Sequence, residues 1–224
     1  MSNGWSESAA AWIADMGERG DFTREFVTDQ PVLQLIDGRG YRNALDVGCG
    51  EGRFCRMLRE RGIDAIGLDP TEGMLAEARR RDPGGDYRLG QAEALPFQDE
   101  MFDLVVSYLS LIDITDATAA IHEMARVLRP GGSLIIVNLN SFATAGTWED
   151  PPLKSRFVIR DYLDERAEWV EWRGIRIRNW HRPLSSYMKP LIQAGLVLRD
   201  FDEPDTTGGP ADRRARYRSI PYCH

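Results

Sequence analysis

The sequence predicts an α/β fold, a mostly parallel sheet with helices on both faces and a small inserted cap. A short apolar run at 43–47 breaks at Gly48, Gly50 and Gly52 and gives way to helical spacing from Arg53, which reads as strand, glycine turn, helix. Strand-like and helix-like segments then alternate as far as residue 140. Between 141 and 182 the alternation lapses and aromatic residues crowd in, among them Phe142, Trp148, Trp169, Trp172 and Trp180.

Ahead of the glycine turn, 9–16 and 22–36 carry helical spacing, broken at 17–21 and bent at Pro31. Segment 1–42 is expected to lie across the mouth of a site. Phe54, Met57 and Leu58 place a helix that stops at Gly62, and 65–68 makes the next strand, ending in Asp69-Pro70. Thr71 is expected to cap a third helix with Met74, Leu75 and Ala78 inward, stopped by Pro83-Gly84-Gly85. A strand at 87–89, a polar loop at 90–97, a strand at 102–107, a helix at 116–128 and a strand at 133–138 complete a core of 43–140. In the cap, 141–182, the runs 169–171 and 175–180 flank Arg173-Gly174 and read as a hairpin. The remainder, 183–224, reads as a helix at 184–194, a strand at 196–201, a polar loop and a last strand at 217–222.

A chain of 224 residues supports one sizeable α/β core with a cap. A net charge of −7 and a pI near 5.1 argue against nucleic acid, which needs an excess of Lys and Arg. Cys49, Cys55 and Cys223 form no Cys-x-x-Cys pair and no even framework, which fits a reducing compartment, so cytoplasm is the expected location. The start of the chain lacks a basic, apolar leader, and no apolar run approaches about 18 residues, so neither export nor a membrane span is expected.

Glycines spaced as at 48, 50 and 52 let the backbone approach a ligand closely, while the N–H groups of the following helix favour a negative group. That points to a cofactor, with a purely structural turn as the other reading.

In order and spacing, Leu45-Asp46-Val47-Gly48-Cys49-Gly50-Glu51-Gly52, then Ile66 to Leu75, Ala92-Glu93-Ala94-Leu95-Pro96-Phe97, Phe102 to Ser107 and Arg126 to Gly132 resemble the class I S-adenosylmethionine-dependent methyltransferases. Within them, the closest likeness is to the small-molecule branch that includes the quinone-pathway enzymes. The resemblance covers about 43–140 and implies a Rossmann-like, seven-stranded sheet and methyl transfer from S-adenosylmethionine, leaving S-adenosylhomocysteine. It implies that Asp46, Gly48, Cys49, Gly50 and Gly52 face the methionine part of the cofactor, and that Asp69, next to Pro70, accepts from both ribose hydroxyls. Met74 would pack on adenine, with Gln91, Ala92 and Glu93 at its edge and Ser107 at the opening of the fourth strand. Gln91 departs from the Asp usual there, yet still offers a carbonyl oxygen to the adenine amino group. Read singly, Asp46 and Asp69 are also consistent with caps and Met74 with core.

The sulfonium already activates the methyl group, so the protein chiefly aligns the acceptor, and a base is needed only for a hydroxyl or an acidic carbon. His181 is the first candidate base, against a role in ordering the hinge at His181-Arg182-Pro183, and Tyr108 is the second candidate for acceptor contact. The aromatic cap is read as the wall of an apolar pocket or as a small core, and the expected acceptor is a small, partly apolar or aromatic molecule. The alternatives are an NAD(P)-dependent oxidoreductase, which would prefer glycine where Arg53 stands, and a catalytically silent S-adenosylmethionine-binding protein. Asp150-Pro151-Pro152 superficially matches the Asp-Pro-Pro of amino-directed DNA methyltransferases but follows the fifth strand, and Leu153 replaces the aromatic. Asp113 and Asp116 read as ordinary capping acids, and no metal is expected.

Overall fold

The computed structural model describes residues 3–149 and 156–224. Five parallel strands form the central sheet in the order β3-β2-β1-β4-β5: β1 (Asn43–Val47), β2 (Asp64–Asp69), β3 (Asp86–Leu89), β4 (Phe102–Tyr108) and β5 (Leu128–Val137). The strand order reverses between β1 and β4, and in open α/β sheets ligands bind outside the carboxyl ends at such a point. Strands β1 and β4 are apolar on both faces because helices cover both. Leu45, Val47 and Val105 pack with Ile121 and Met124, while Ala44, Leu104 and Val106 pack with Phe54 and Leu58.

The helices of this core follow the sequence closely. They are α3 (Arg53–Arg59), α4 (Glu72–Arg81) and α5 (Ala117–Val127). Asp116 caps α5, its carboxylate accepting from Ala119 N–H at 2.9 Å. Thr71 stands at the N-cap position of α4 without making the expected side-chain cap. Its backbone N–H donates instead to Asp69, and its hydroxyl also bonds that carboxylate.

Ahead of the core lie α1 (Trp5–Met16) and α2 (Asp29–Ile36). The irregularity expected at Pro31 sits earlier, as a π-helical turn over Arg24–Thr28 whose Asp29 N–H reaches back to Arg24 O. Pro31 has no N–H to return to Val27, and the wider turn falls where that ladder bond would be missing. The cap holds the short α6 (Ser141–Thr144) and two antiparallel pairs, β6 (Gly146–Glu149) with β7 (Arg156–Ile159) and β8 (Arg166–Trp172) with β9 (Ile175–His181). The second pair is the expected hairpin. Arg173 and Gly174 both take left-handed φ, 45° and 81°, as a two-residue turn between twisted strands requires.

Past the cap the expectation of seven strands is corrected. Helix α7 (Leu184–Gln193) forms as expected, but 196–201 makes no ladder and leaves Val197 and Leu198 exposed. An apolar, β-prone run is a strand only where an edge receives it. The first half of the segment expected to become the last strand, 217–219, is instead the end of helix α8 (Ala211–Ser219), with Asp212 in its first turn and Arg216 and Arg218 in its last, complementing the helix dipole. Only Cys223 pairs, in an antiparallel bridge to Leu139 beyond β5. The Asp150-Pro151-Pro152 motif lies outside the described residues. No helix among the described residues is long and apolar enough to cross a membrane.

One buried carboxylate joins the far ends of β1 and β4. Asp103 accepts from the N–H groups of Arg42 and Asn43 at 3.0–3.1 Å and pairs with Arg129 at 3.2 Å. Asp103→Ala should cost about 2 kcal/mol in urea unfolding, because two backbone donors and Arg129 lose their buried acceptor. Asp103→Asn, which keeps an acceptor oxygen, should cost clearly less.

Candidate functional site

A cleft of about 890 Å³ opens over the carboxyl ends of β1, β2 and β4. Its floor is the turn after β1. Gly48 and Cys49 N–H both donate to Leu68 O, at 2.7 and 3.0 Å, which locks the turn onto the end of β2. A Cβ on Gly48 would fall 2.4 Å from the Ser110 Cβ, and one on Gly52 would fall 2.5 Å from the Tyr87 ring. Both residues also have positive φ, so only glycine fits. A Cβ on Gly50 would meet no protein atom within 4 Å, so that side of the turn is open to a ligand. The Cys49 sulfur packs over Gly67, consistent with its role as a small spacer.

Asp69, at the tip of β2, accepts from Gly50 N–H at 2.9 Å and from Thr71 N–H at 2.8 Å. Burial nevertheless raises its pKa, and with the Thr71 hydroxyl it has three donors on about four lone-pair sites, so a ligand hydroxyl has one open site and shares a second with Thr71. Asp46 is 1% exposed, with one oxygen in contact with the Cys55 thiol at 3.5 Å and the other, Oδ1, without a hydrogen-bond partner. Burial pushes its pKa up to about 7, with Asp69 and Glu51 adding to the effect. Glu51 Oε1, also on the cleft wall, accepts no hydrogen bond but has Arg81 at 3.9 Å and Arg56 at 4.0 Å. A buried, unsatisfied carboxylate oxygen beside an open glycine turn suits a ligand that brings donors and positive charge.

The structure brings Asp46, Gly48, Cys49, Gly50, Asp69, Pro70, Met74, Gln91, Ala92, Glu93 and Tyr108 to this cleft. Gly52 and Ser107 lie behind the wall. Gly52 faces Tyr87, and Ser107 bonds the Ser110 hydroxyl at 2.7 Å, so that Ser110, bonded in turn to Val47 O, is the serine on the cleft. His181 is also elsewhere. It is 3% exposed, Nε2 donating to Tyr162 O at 2.9 Å and Nδ1 bonded to the Thr144 hydroxyl at 2.7 Å, so both nitrogens are held within the cap. Tyr108 reaches the cleft with its hydroxyl engaged, donating to Asp29 at 2.6 Å and bonded to Thr28 at 2.6 Å. Burial and Asp29 raise its pKa strongly. With the ion pair of Arg53 to Asp29, this contact fastens the N-terminal segment to the glycine turn.

The other half of the cleft comes from the two ends of the chain and the cap. Trp5 and Trp12 meet edge to face at 4.9 Å, Trp12 meets Trp172 at 6.2 Å, and Arg24 stacks over Trp12 at 5.1 Å. Val170 and Ile177 extend this wall from the hairpin. Asp113 stands opposite, bonded to the Asn179 amide and to the Trp5 indole, and burial pushes its pKa up to about 8. The sequence offered Asp113 only as a capping acid beside Asp116, yet Asp116 alone caps. The one-sided spacing of Trp5, Ala9 and Trp12 was a signal for the aromatic wall, whereas nothing local marked Arg24 or Asn179. Among the described residues no group of three or more His, Cys, Asp and Glu is arranged to hold a metal ion.

The methyltransferase domain model matches residues 45–136, the segment that builds the sheet and turn. A malonyl-[acyl-carrier protein] O-methyltransferase of Salmonella typhimurium is 41% identical over 200 residues, covering 84% of this chain and 77% of its own. A demethylmenaquinone methyltransferase of Beutenbergia cavernae is 31% identical over 203 residues, covering 76% of this chain and 85% of its own. An S-adenosylmethionine-dependent methyltransferase from Mesorhizobium loti superposes with a TM-score of 0.74 at 26% identity, covering 87% of this chain and 94% of its own. This chain belongs to the S-adenosylmethionine-dependent methyltransferases. The methyltransferase uses S-adenosylmethionine as its cofactor, and neither the oxidoreductase nor the silent-binder alternative finds support. The site fits such a cofactor, since the orphaned Asp46 oxygen beside the open side of the glycine turn suits its cationic methionine part.

The acids of the methyltransferase set a pH dependence. Asp46 holds its proton up to about pH 7 when folded and loses it near pH 4 when unfolded, so the folded state binds more protons between the two. Stability of the cofactor-free protein should therefore fall as pH rises from about 4 to about 7. Asp46→Asn should flatten that decline in thermal unfolding, and an unchanged slope would exclude Asp46 as its source.

Proposed function

We propose that this methyltransferase transfers its methyl group to a small, partly apolar or aromatic acceptor held against Trp5, Trp12 and Trp172. The observation that carries this reading is the division of the cleft. The glycine turn, Asp69 and Met74 form one half, and the tryptophan wall with Val170 and Ile177 forms the other. Aromatic side chains bury large area and orient flat ligands at little entropic cost. The relatives do not fix the acceptor, since one is named for malonyl-[acyl-carrier protein] and another for demethylmenaquinone.

In this reading Asp69 accepts from the two ribose hydroxyls, Met74 packs on adenine, and Gln91, Ala92 and Glu93 lie along its edge. Asp46, with Gly48, Cys49 and Gly50, meets the methionine part. The bound cofactor supplies an electrophilic methyl group on sulfur. The protein supplies alignment, fixing the donor from the sheet side and the acceptor from the tryptophan side so that attack is in line with the bond that breaks. Arg53, Asp29, Tyr108 and Thr28 hold the N-terminal segment, and with it Trp12 and Arg24, in register with the turn. His181 and Tyr108, whose polar atoms are already bonded within the protein, serve as structural supports.

Asp69→Ala should weaken S-adenosylhomocysteine binding by about 10–100-fold in calorimetry, the worth of hydrogen bonds to a charged group. Trp12→Ala should leave that affinity nearly unchanged and raise the acceptor KM about tenfold or more. A Trp12→Ala enzyme with an unaltered KM would remove the tryptophan wall from the acceptor site.

A further inference from the structure

We propose that Asp113 is the proton acceptor of this methyltransferase, and that the group methylated is a neutral O–H or N–H rather than a carboxylate. The inference rests on the reading of the tryptophan-lined half of the cleft as the acceptor side. Neither His181 nor Tyr108 is free to take a proton, for the reasons of hydrogen bonding given above. Asp113 is a titratable group on that side, in the loop after β4, and it is oriented from two directions. Asn179 comes from β9 and Trp5 from α1. A carboxylate has about four lone-pair sites, so these two donors leave capacity for an acceptor proton.

Charge decides the class of acceptor. Along the cleft carboxylates outnumber arginines, and each of the three arginines already has a carboxylate partner: Arg24 with Asp21, Arg53 with Asp29 and Arg173 with Asp15. A carboxylate acceptor would enter beside Asp113 with no unpaired cation among the described residues lining the cleft. It would bring no proton for Asp113 to take. A neutral phenol or amine meets neither difficulty. As its oxygen or nitrogen bonds to the methyl carbon, the carbon–sulfur pair remains on sulfur as a neutral thioether, and the O–H or N–H proton passes to Asp113.

The groups facing Asp113 are Asp69, which raises its pKa, and Arg24, Asn179 and Trp5, which lower it. Burial outweighs them, at about 8. Transfer should therefore rise with pH toward a plateau above about 8.

The test uses the full chain with tritium-methyl-labelled S-adenosylmethionine and three probes: a naphthol, a naphthylamine, which is neutral at the assay pH, and malonyl-coenzyme A. Label should enter the naphthol or naphthylamine in a form stable to alkali, with a rate that climbs through pH 8. Asp113→Asn should reduce that rate about 100-fold or more and abolish the climb. Asp113→Glu should recover part of it, and S-adenosylhomocysteine affinity by calorimetry should stay within about twofold in both variants, a readout independent of turnover. Three results would overturn the proposal: label confined to an alkali-labile ester of the malonyl probe, transfer to the protic probes that is indifferent to Asp113→Asn, or no label in either protic probe while the cofactor product binds. If the tryptophan-wall reading fails instead, Trp12→Ala will leave the KM for the naphthol unchanged while the Asp113 pH profile persists.

Discussion

The backbone carbonyl of Leu68 is the point on which the site depends. It receives the N–H groups of both Gly48 and Cys49, so the turn after one central strand is hydrogen-bonded onto the tip of its neighbour. The parallel register of Val47 with Leu68 places that carbonyl within reach, and the next residue, Asp69, continues the same junction by accepting from Gly50. The curvature of the turn, the burial of Asp46 and the aim of Asp69 follow from a handful of bonds at one sheet end. A side chain at Gly48 or Gly52 would press on Ser110 or Tyr87 and move all of them together.

The cofactor side of this arrangement was legible in the sequence because its signals are local. Glycines at 48, 50 and 52, an acid at the end of the next strand and apolar runs covered on both faces each reflect a backbone demand that neighbours along the chain must meet. The acceptor side was not legible in that way. Asp113 acquires its meaning only when Trp5 from α1 and Asn179 from β9 come to it, and in sequence it is one of two acids before a helix. His181 failed as a candidate base for the complementary reason. Its neighbours in sequence look like a hinge beside an active site, while its neighbours in space, Thr144 and Tyr162, use both of its nitrogens. The strand expected at 196–201 shows the same limit, since propensity supplies the strand but not the edge it would need.

The electrostatics of the cleft divide as the packing does. Near the glycine turn, Asp46 Oδ1 is buried without a hydrogen-bond partner, while the three arginines lining the cleft, Arg24, Arg53 and Arg173, are each paired with a carboxylate. The first arrangement rewards a cationic ligand. The second withholds compensation from an anionic one, so one cavity imposes opposite demands on its two occupants.

The hairpin β8–β9 touches the cleft through Val170, Trp172, Ile177 and Asn179, yet shares no ladder with the central sheet. Its strands share a ladder only with each other, from Arg166–His181 to Trp172–Ile175, and single backbone bonds tie β9 to the rest of the cleft, Arg178 N–H to Asn3 O at 2.9 Å and Trp180 N–H to Ile112 O at 2.7 Å. Val170, Trp172 and Ile177 can therefore be exchanged without touching the bonds that Leu68 and Asp69 make with the glycine turn. Under the proposed reading, the hairpin is a faceplate through which acceptor preference can be changed while the cofactor side is kept.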